Sequence, residues 1–354
     1  MSMNNVYKEE IQNLVAADFP WQDLSKKSIL ITGATGFIAS FITHVLLAAG
    51  REHALGLTVH GLVRNRAKAE RVFARYTGAA DLRLIVQDVS EPLSPAVGGI
   101  DIIIHAASPA SPKYYRNDPI GTMLPNVTGT MNLLEYARAH AAGRFLYLSS
   151  SEVYGRVPGK ARVAEESFGS LDPLELRSCY GESKRMGEAL CLSWFSQHQV
   201  PVIIARLFHT YGPGMNLEDG RVFADFVANV VRNEPLLIKG DGRARRAFCY
   251  LTDAVSGLLT VLFKGECGLA YNIGDEESEI SVKALAGLLA GLFPEKKLAV
   301  IRSKRPEGDA YLPSKVRRIC PDTTRIRGLG WQPRVGLRRG FYRTVRSFSN
   351  EASA

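Results

Sequence analysis

The sequence predicts an α/β fold, a doubly wound parallel sheet with a smaller C-terminal lobe interleaved into it. Three observations lead there. Short apolar runs alternate with segments of helical periodicity from residue 28 to residue 205. A Gly-rich turn, GATGFIA at 33–39, separates the first apolar run from the first helical segment. After about residue 210 the texture changes, as Gly and Pro become frequent and the strands shorten.

Residues 4–18 read as a short amphipathic helix, so 1–27 is expected to be an N-terminal helical extension. SILIT at 28–32 is the first strand, and 37–49 has helical length and periodicity. Strands follow at 57–63, 82–86, 100–104, 144–149 and 201–205, with helices at 66–76, 119–140 and 178–198 between them. Continuous apolar strands alternating with helices indicate a parallel sheet covered on both faces. The first domain is therefore expected over 28–210 and a mainly substrate-binding lobe over 211–347. In that lobe short strands (236–239, 270–273, 299–301) alternate with helices (221–232, 252–263, 281–292), and residues 250–263 read as rejoining the first domain.

Composition narrows the class. The chain has 354 residues, 46% hydrophobic and 22% charged, which is ordinary for a globular protein of roughly two domains. No stretch reaches the ~18 consecutive apolar residues of a membrane span, and the N-terminus has acids where a secretory leader would be apolar. The net charge of +9 is uneven, since residues 301–346 hold 13 Lys/Arg against three acids. Without interleaved aromatics, that block reads as a rim for an anionic small molecule or a solvated face, not as a nucleic-acid surface. The five cysteines (179, 191, 249, 267, 320) have neither CxxC nor His-ligand spacing, so no metal and no disulfide framework is expected, and a cytoplasmic location fits.

Within the turn, Gly33, Gly36 and Ala39 form G-x-x-G-x-x-A between strand and helix. One Gly allows a tight turn, another lets backbone approach a pyrophosphate, and a small residue packs helix on strand. The helix N-terminus then offers free N–H groups to the phosphates. This is the pattern of a Rossmann dinucleotide site. The second strand ends in Val63-Arg64-Asn65-Arg66, with no acid for the ribose 2′-OH of NAD, so Arg64 is a candidate for the 2′-phosphate of NADP. Asp88 and Val89, just past the third strand, are candidate adenine contacts.

Tyr180 and Lys184 are four residues apart and share a helix face. An ammonium beside a phenol favours the phenolate, which would make Tyr180 a usable base near neutral pH. Ser149-Ser150-Ser151-Glu152 closes the fifth strand, where ligands of doubly wound sheets lie. Ser150, Ser151, Glu152, Tyr180 and Lys184 are the candidate catalytic residues.

GATGFIA, HAAS at 105–108, Asn126, SSSEVYG at 149–155 and the Y-x-x-x-K pair resemble the extended short-chain dehydrogenase/reductase family of NAD-dependent epimerases and dehydratases. The likeness runs from about residue 28 to 347. HAASPASPKYYRNDP (105–119), RSCYGESKR (177–185), DGRVFADF (219–226), RRAFCYLTD (245–253) and CPDTTRIRGLGWQP (320–333) are most similar to its UDP-glucuronate decarboxylase branch. The resemblance implies cofactor contacts from Gly33, Thr35, Gly36, Phe37, Ile38, His105, Ala106, Ala107, Asn126, Tyr180 and Lys184. It implies substrate contacts from Ser108, Tyr115, His209, Arg221 and Arg246, with His209 standing where the family usually has Asn. It also implies a homodimer built on the helices near 119–140 and 178–198. The expected substrate is a nucleotide-sugar, UDP-linked by resemblance, and the cofactor a tightly bound NAD or NADP that is regenerated each turn.

The implied chemistry begins with oxidation at the sugar C4. Ser150 holds the C4 oxygen, Tyr180 takes its proton, and Glu152 and Arg246 are candidates to orient the sugar or deliver a proton to C5. Ser151 stands where sugar 4,6-dehydratases have an acidic Asp, which disfavours loss of water because a hydroxyl is a poor proton donor. Decarboxylation is the leading outcome, with 4-epimerisation and then 4,6-dehydration as alternatives. A non-catalytic dinucleotide-binding regulator and an NADPH-consuming reductase are the readings outside this chemistry; the first would have little use for the retained Tyr180–Lys184 pair.

Overall fold

The computed structural model describes residues 4–94, 97–159, 162–303, 312 and 314–349. In chain order its strands are β1 (Ser28–Thr32), β2 (Thr58–Val63), β3 (Leu82–Val86), β4 (Ile102–His105), β5 (Arg144–Ser150), β6 (Val202–Leu207), β7 (His209–Tyr211), β8 (Leu236–Lys239), β9 (Arg245–Tyr250), β10 (Ala270–Ile273), β11 (Glu279–Ser281), β12 (Val300–Ser303) and β13 (Arg318–Ile319). The helices are α1 (Asn5–Val15), α2 (Phe37–Glu52), α3 (Arg66–Val72), α4 (Pro112–Asn117), α5 (Pro119–Ala139), α6 (Ser178–His198), α7 (Val222–Arg232), α8 (Leu251–Lys264), α9 (Val282–Leu292), α10 (Thr324–Arg327) and α11 (Leu337–Arg346).

Seven strands form one sheet in the order β10-β6-β5-β4-β1-β2-β3, and every neighbouring pair in it is parallel. The inner strands are apolar nearly throughout because both faces are covered: Ile29, Leu30, Ile31 and Ile103 are fully buried. On one face α1, α2 and α8 close a core with Phe41, Leu46, Val59, Leu146 and Leu258. On the other, Leu30, Ile103, Leu133, Phe145 and Cys191 pack beneath α5 and α6. Strand order reverses between β1 and β4, and the crevice at that point is where doubly wound sheets hold ligands.

The second lobe has its own core of Phe223, Phe226, Leu236, Phe248, Leu285 and Phe341. β9 is its hub, pairing with β7 at one end and with β11 and β13 at the other. The division along the chain differs from the one read off the sequence. β10, read there as a strand of the lobe, extends the main sheet beside β6, and Ile326 and Trp331 also join the first core. A four-residue strand pattern such as AYNI does not say which sheet edge it joins.

Residues at the N-terminus are tied to the far end of the chain. Glu10, buried, takes a hydrogen bond from the Tyr250 hydroxyl at 2.8 Å and pairs with Arg343 of α11. Asn4 donates to the Ser347 carbonyl at 2.6 Å. Among the described residues no helix is long and apolar enough to cross a membrane.

Candidate active site

The carboxyl ends of the central strands open into a cavity of about 920 Å³ walled on the other side by the lobe. The glycine turn forms one end. Gly33 has φ +61°, and a Cβ there would lie 2.7 Å from the Cα of Ala107, so only glycine lets the β1 and β4 loops approach this closely. Gly36 is the N-cap of α2 and supplies no capping side chain. The first N–H groups of a 16-residue helix are therefore left without a side-chain acceptor where Gly36, Phe37, Ile38 and Ala39 meet the cavity. This cradle fits the pyrophosphate of a dinucleotide.

At the other end stand Ser149, Ser150, Ser151 and Glu152 from the close of β5, with Tyr180 and Lys184 from α6. Lys184 is buried and donates to the Leu148 carbonyl at 2.6 Å, with its Nζ 4.7 Å from the centre of the Tyr147 ring. The Tyr115 ring stacks on Tyr180 with centroids 5.1 Å apart and planes within 12°, fixing the phenol's plane.

The protonation states differ from the sequence reading. There, Lys184 lowers the phenol pKa; here burial pushes Tyr180 up to about 12, against a smaller opposing pull from the Ser150 hydroxyl. Burial likewise pushes the Lys184 ammonium down to about 7, because the charged form loses its hydration, with Glu188 pulling the other way. Glu152 also differs. As a proton donor to C5 it would have to be protonated, yet although burial pulls its carboxyl up, Arg177, then Arg246 and Arg221, hold it below the usual value. Burial and the surrounding Arg246, Arg221 and Arg177 charges hold the His209 imidazole neutral.

Sequence reasoning missed Arg177. Its guanidinium grips Glu152 with both terminal nitrogens, at 2.7 and 3.1 Å, and donates from Nε to the Leu312 carbonyl at 3.2 Å. The local signal was only an Arg three residues before Tyr180. It missed a second set too. Glu188, one turn after Lys184, accepts from Ser149 at 2.5 Å and from Arg206 at 2.9 and 2.7 Å, and Arg206 continues to the Tyr154 hydroxyl and the Glu165 carbonyl. Only the fold brings β5, β6 and α6 together at these atoms.

The remaining candidates divide. Ala106, Ser108, Tyr115, His209, Arg221 and Arg246 line the cavity. Arg246 is held by the carbonyls of Arg245, Arg317 and Val316, and Arg221 pairs with Asp219. The loop carrying Asp219 and Arg221 is tied to the start of α4, since Ser111 donates to the Asp219 carbonyl at 2.6 Å. His105, Asn126 and Val89, read as cofactor contacts, do not line the cavity and are buried in packing. His105 bonds Thr32 at 2.8 Å below the β1–β4 crevice, and Asn126 donates to Thr122 and Ser183 between α5 and α6. Thr35 and Ala107 belong to the turn and its backing without lining the cavity. Arg64 and Asp88, just past β2 and β3, pair with each other at 3.7 Å outside it. No cluster of three or more potential metal ligands occurs among the described residues.

A glycine turn at the order reversal of a parallel sheet, facing a Ser–Tyr–Lys set across one cavity, defines a dinucleotide-dependent enzyme with a Rossmann domain and a second, smaller lobe. The chain belongs to the NAD-dependent epimerase/dehydratase family, whose model matches residues 29–274. It is 35% identical over 320 residues to UDP-glucuronic acid decarboxylase 6 of Arabidopsis thaliana, covering 89% of this chain and 87% of that one. It is 34% identical over 354 residues to UDP-glucuronic acid decarboxylase 1 of Xenopus tropicalis, covering 97% and 79%. Among solved structures, the UDP-glucuronic acid 4-epimerase of Bacillus cereus, in complex with UDP-glucuronic acid and NAD, superposes with a TM-score of 0.77 at 25% identity, over 91% of this chain and 98% of that one. A dTDP-glucose 4,6-dehydratase of Streptomyces venezuelae with NAD bound gives 0.76 at 27% identity, over 91% and 96%.

Proposed function

We propose that this enzyme decarboxylates UDP-glucuronate by oxidation at C4, loss of carbon dioxide and reduction of the resulting keto sugar. The observation that carries this is the end of β5. By the family resemblance Ser151 stands where removal of water would need an acid, and Glu152 beside it is held ionised by Arg177, in one cavity with Ser150, Tyr180 and Lys184. The decarboxylase relatives at 34 and 35% identity support it.

Phe37 and Ile38 at the start of α2, with Lys184, would hold the cofactor. We take it to be NAD, since the Arg64 charge is offset by Asp88 and the family is NAD-dependent. The nicotinamide supplies the hydride acceptor and later donor, and its oxidised form brings a positive charge that favours a phenolate. Tyr180 removes the proton of the C4 hydroxyl, while Ser150 bonds the same oxygen. Once C4 is a carbonyl, the C5 carboxylate belongs to a β-keto acid. The bond from C5 to the carboxyl carbon breaks, carbon dioxide leaves, and its electron pair passes to the C4 oxygen as an enolate, which the Ser150 and Tyr180 hydroxyls stabilise. C5 would then take a proton from water, and, as C4 is reduced again, Tyr180 would return its proton to the C4 oxygen. Arg221 and Arg246 bind the diphosphate.

The outward faces of α5 and α6 carry Ile120, Leu124, Met131, Met186 and Leu192 exposed, which supports a homodimer through these helices. Five unbridged cysteines support a cytoplasmic setting.

Incubation with UDP-glucuronate and NAD, with products resolved by mass, tests the reading. The expected product is a UDP-pentose, lighter by one carbon dioxide. An unchanged mass at a new retention time would make the enzyme a 4-epimerase, and loss of water a dehydratase.

A further inference from the structure

We propose that Arg177 is the positioning residue of this site: it fixes the direction and charge of Glu152, so that Glu152 meets the substrate as an anion that accepts hydrogen bonds and donates none. The proposal deepens the reaction given above and rests on it for its kinetic arm alone.

The geometry is specific. Glu152 lies in the single 3-10 turn that follows β5, directly after Ser150 and Ser151. Arg177 is the N-cap of α6, the helix that carries Tyr180 and Lys184. A fork of two nitrogens on two carboxylate oxygens fixes both the rotation and the tilt of the carboxylate, which a point charge does not. The guanidinium is itself held from two further sides. Its Nε donates to Leu312, and its centre lies 5.8 Å from that of the Tyr115 ring, the ring that stacks on Tyr180. Side-chain exposures of 16% and 25% keep the pair substantially out of water, where pairing and charge count for more than at the surface. Arg177 thus links the two halves of the catalytic set, the strand end with its hydroxyls and the helix with its phenol.

The groups facing Glu152 are Arg177 and Tyr180 from α6, Tyr115 from α4, Arg221 ahead of α7, Arg246 from β9 and His209 from β7. Two of the three arginines have other holders: Arg221 pairs with Asp219, and Arg246 is bound by backbone carbonyls. Among the described residues Arg177 is the cation that touches the carboxylate, so its removal takes from a partly buried Glu152 the counter-ion bonded to it. The sign follows. A carboxyl that loses a bonded cation titrates at higher pH, by about one to three units for a contact of this kind. Activity that needs the Glu152 anion is then lost at higher pH as the solution is acidified.

The test uses the full chain with three single substitutions and one double. Carboxyl-carbon NMR of 13C-Glu-labelled protein follows the Glu152 titration, with Glu152→Gln assigning the resonance and no substrate required. In Arg177→Gln the midpoint should rise by about one to three units, and the acid limb of kcat/KM against pH should move with it. Arg177→Lys, which keeps the charge and loses the fork, should return the midpoint most of the way while kcat stays reduced. Arg177→Gln combined with Glu152→Gln should be no slower than Glu152→Gln alone, as expected for residues acting through one another. An unmoved Glu152 midpoint in Arg177→Gln overturns the proposal, as does a loss in the double variant that adds to that of Glu152→Gln. If the midpoint moves but wild-type enzyme releases no carbon dioxide from UDP-glucuronate, the proposed reaction falls and the role of Arg177 stands.

Discussion

The two walls of the cavity are built in different ways. The wall from the sheet is regular: consecutive parallel strands deliver the Gly33 turn, Ser108 and Ser150–Glu152 to one edge, and the adjoining helix adds Tyr180 and Lys184. The wall from the lobe is assembled from short strands and loops held by pairs distant in sequence, such as Arg318–Glu279, Arg317–Asp241 and Ser111–Asp219. In the reaction proposed above, the sheet wall carries the groups that handle a proton at C4. In the same proposal the lobe wall, with Arg221, Arg246 and His209, holds the charged part of the substrate. One wall should govern turnover and the other mainly affinity.

The strongest way to break this division is at the phenol. Tyr180→Phe should lower kcat by about 10²- to 10⁴-fold with cofactor still bound, read by steady-state kinetics and the cofactor absorbance of the purified protein. A smaller effect would move the proton chemistry off the sheet wall. Next comes the pair behind that wall. Arg206→Met leaves Glu188 buried without its partner, with side-chain exposures of 13% and 12% in the intact pair, and should cost about 3–5 kcal/mol in denaturant unfolding. On the lobe wall, Arg221→Gln should raise KM about 10- to 100-fold with kcat nearly unchanged. A fall in kcat instead would mean that the lobe takes part in the chemical step.

The smallest effect concerns pH. Lys184 in the folded chain is held down at about 7, below its ordinary value of 10.5. Between those values the unfolded chain binds more protons than the folded one, so this group makes stability rise with pH across that window. Lys184→Met should flatten that rise in thermal unfolding measured from pH 7 to 10, and should be more stable than wild type at its lower end. An unchanged slope would mean that the ammonium is well compensated where it lies.

The same contrast decides what the sequence could reveal. The sheet wall was legible because its signals are local. SILIT followed by GATGFIA fixes a strand, a turn and a helix start, and the i, i+4 spacing fixes Tyr180 against Lys184. What escaped depends on partners far away in the chain. β10 joins the main sheet because Ala270–Ile273 pairs with Ile204–Leu207, which no periodicity in AYNI encodes. Arg177 and Glu188 look like ordinary helix residues until Glu152, Ser149 and Arg206 are set beside them. His105 and Asn126 show the converse. Short motifs marked them for the cofactor, yet both are buried and their side chains bond Thr32 and Ser183.

The most direct measurement is release of labelled carbon dioxide from UDP-glucuronate carrying 13C in its carboxyl group, followed together with cofactor absorbance. One carbon dioxide per UDP-pentose, with no lasting accumulation of reduced cofactor, is the expected result. Turnover of the nucleotide-sugar with all the label retained, or reduced cofactor accumulating one-for-one with product, would contradict it.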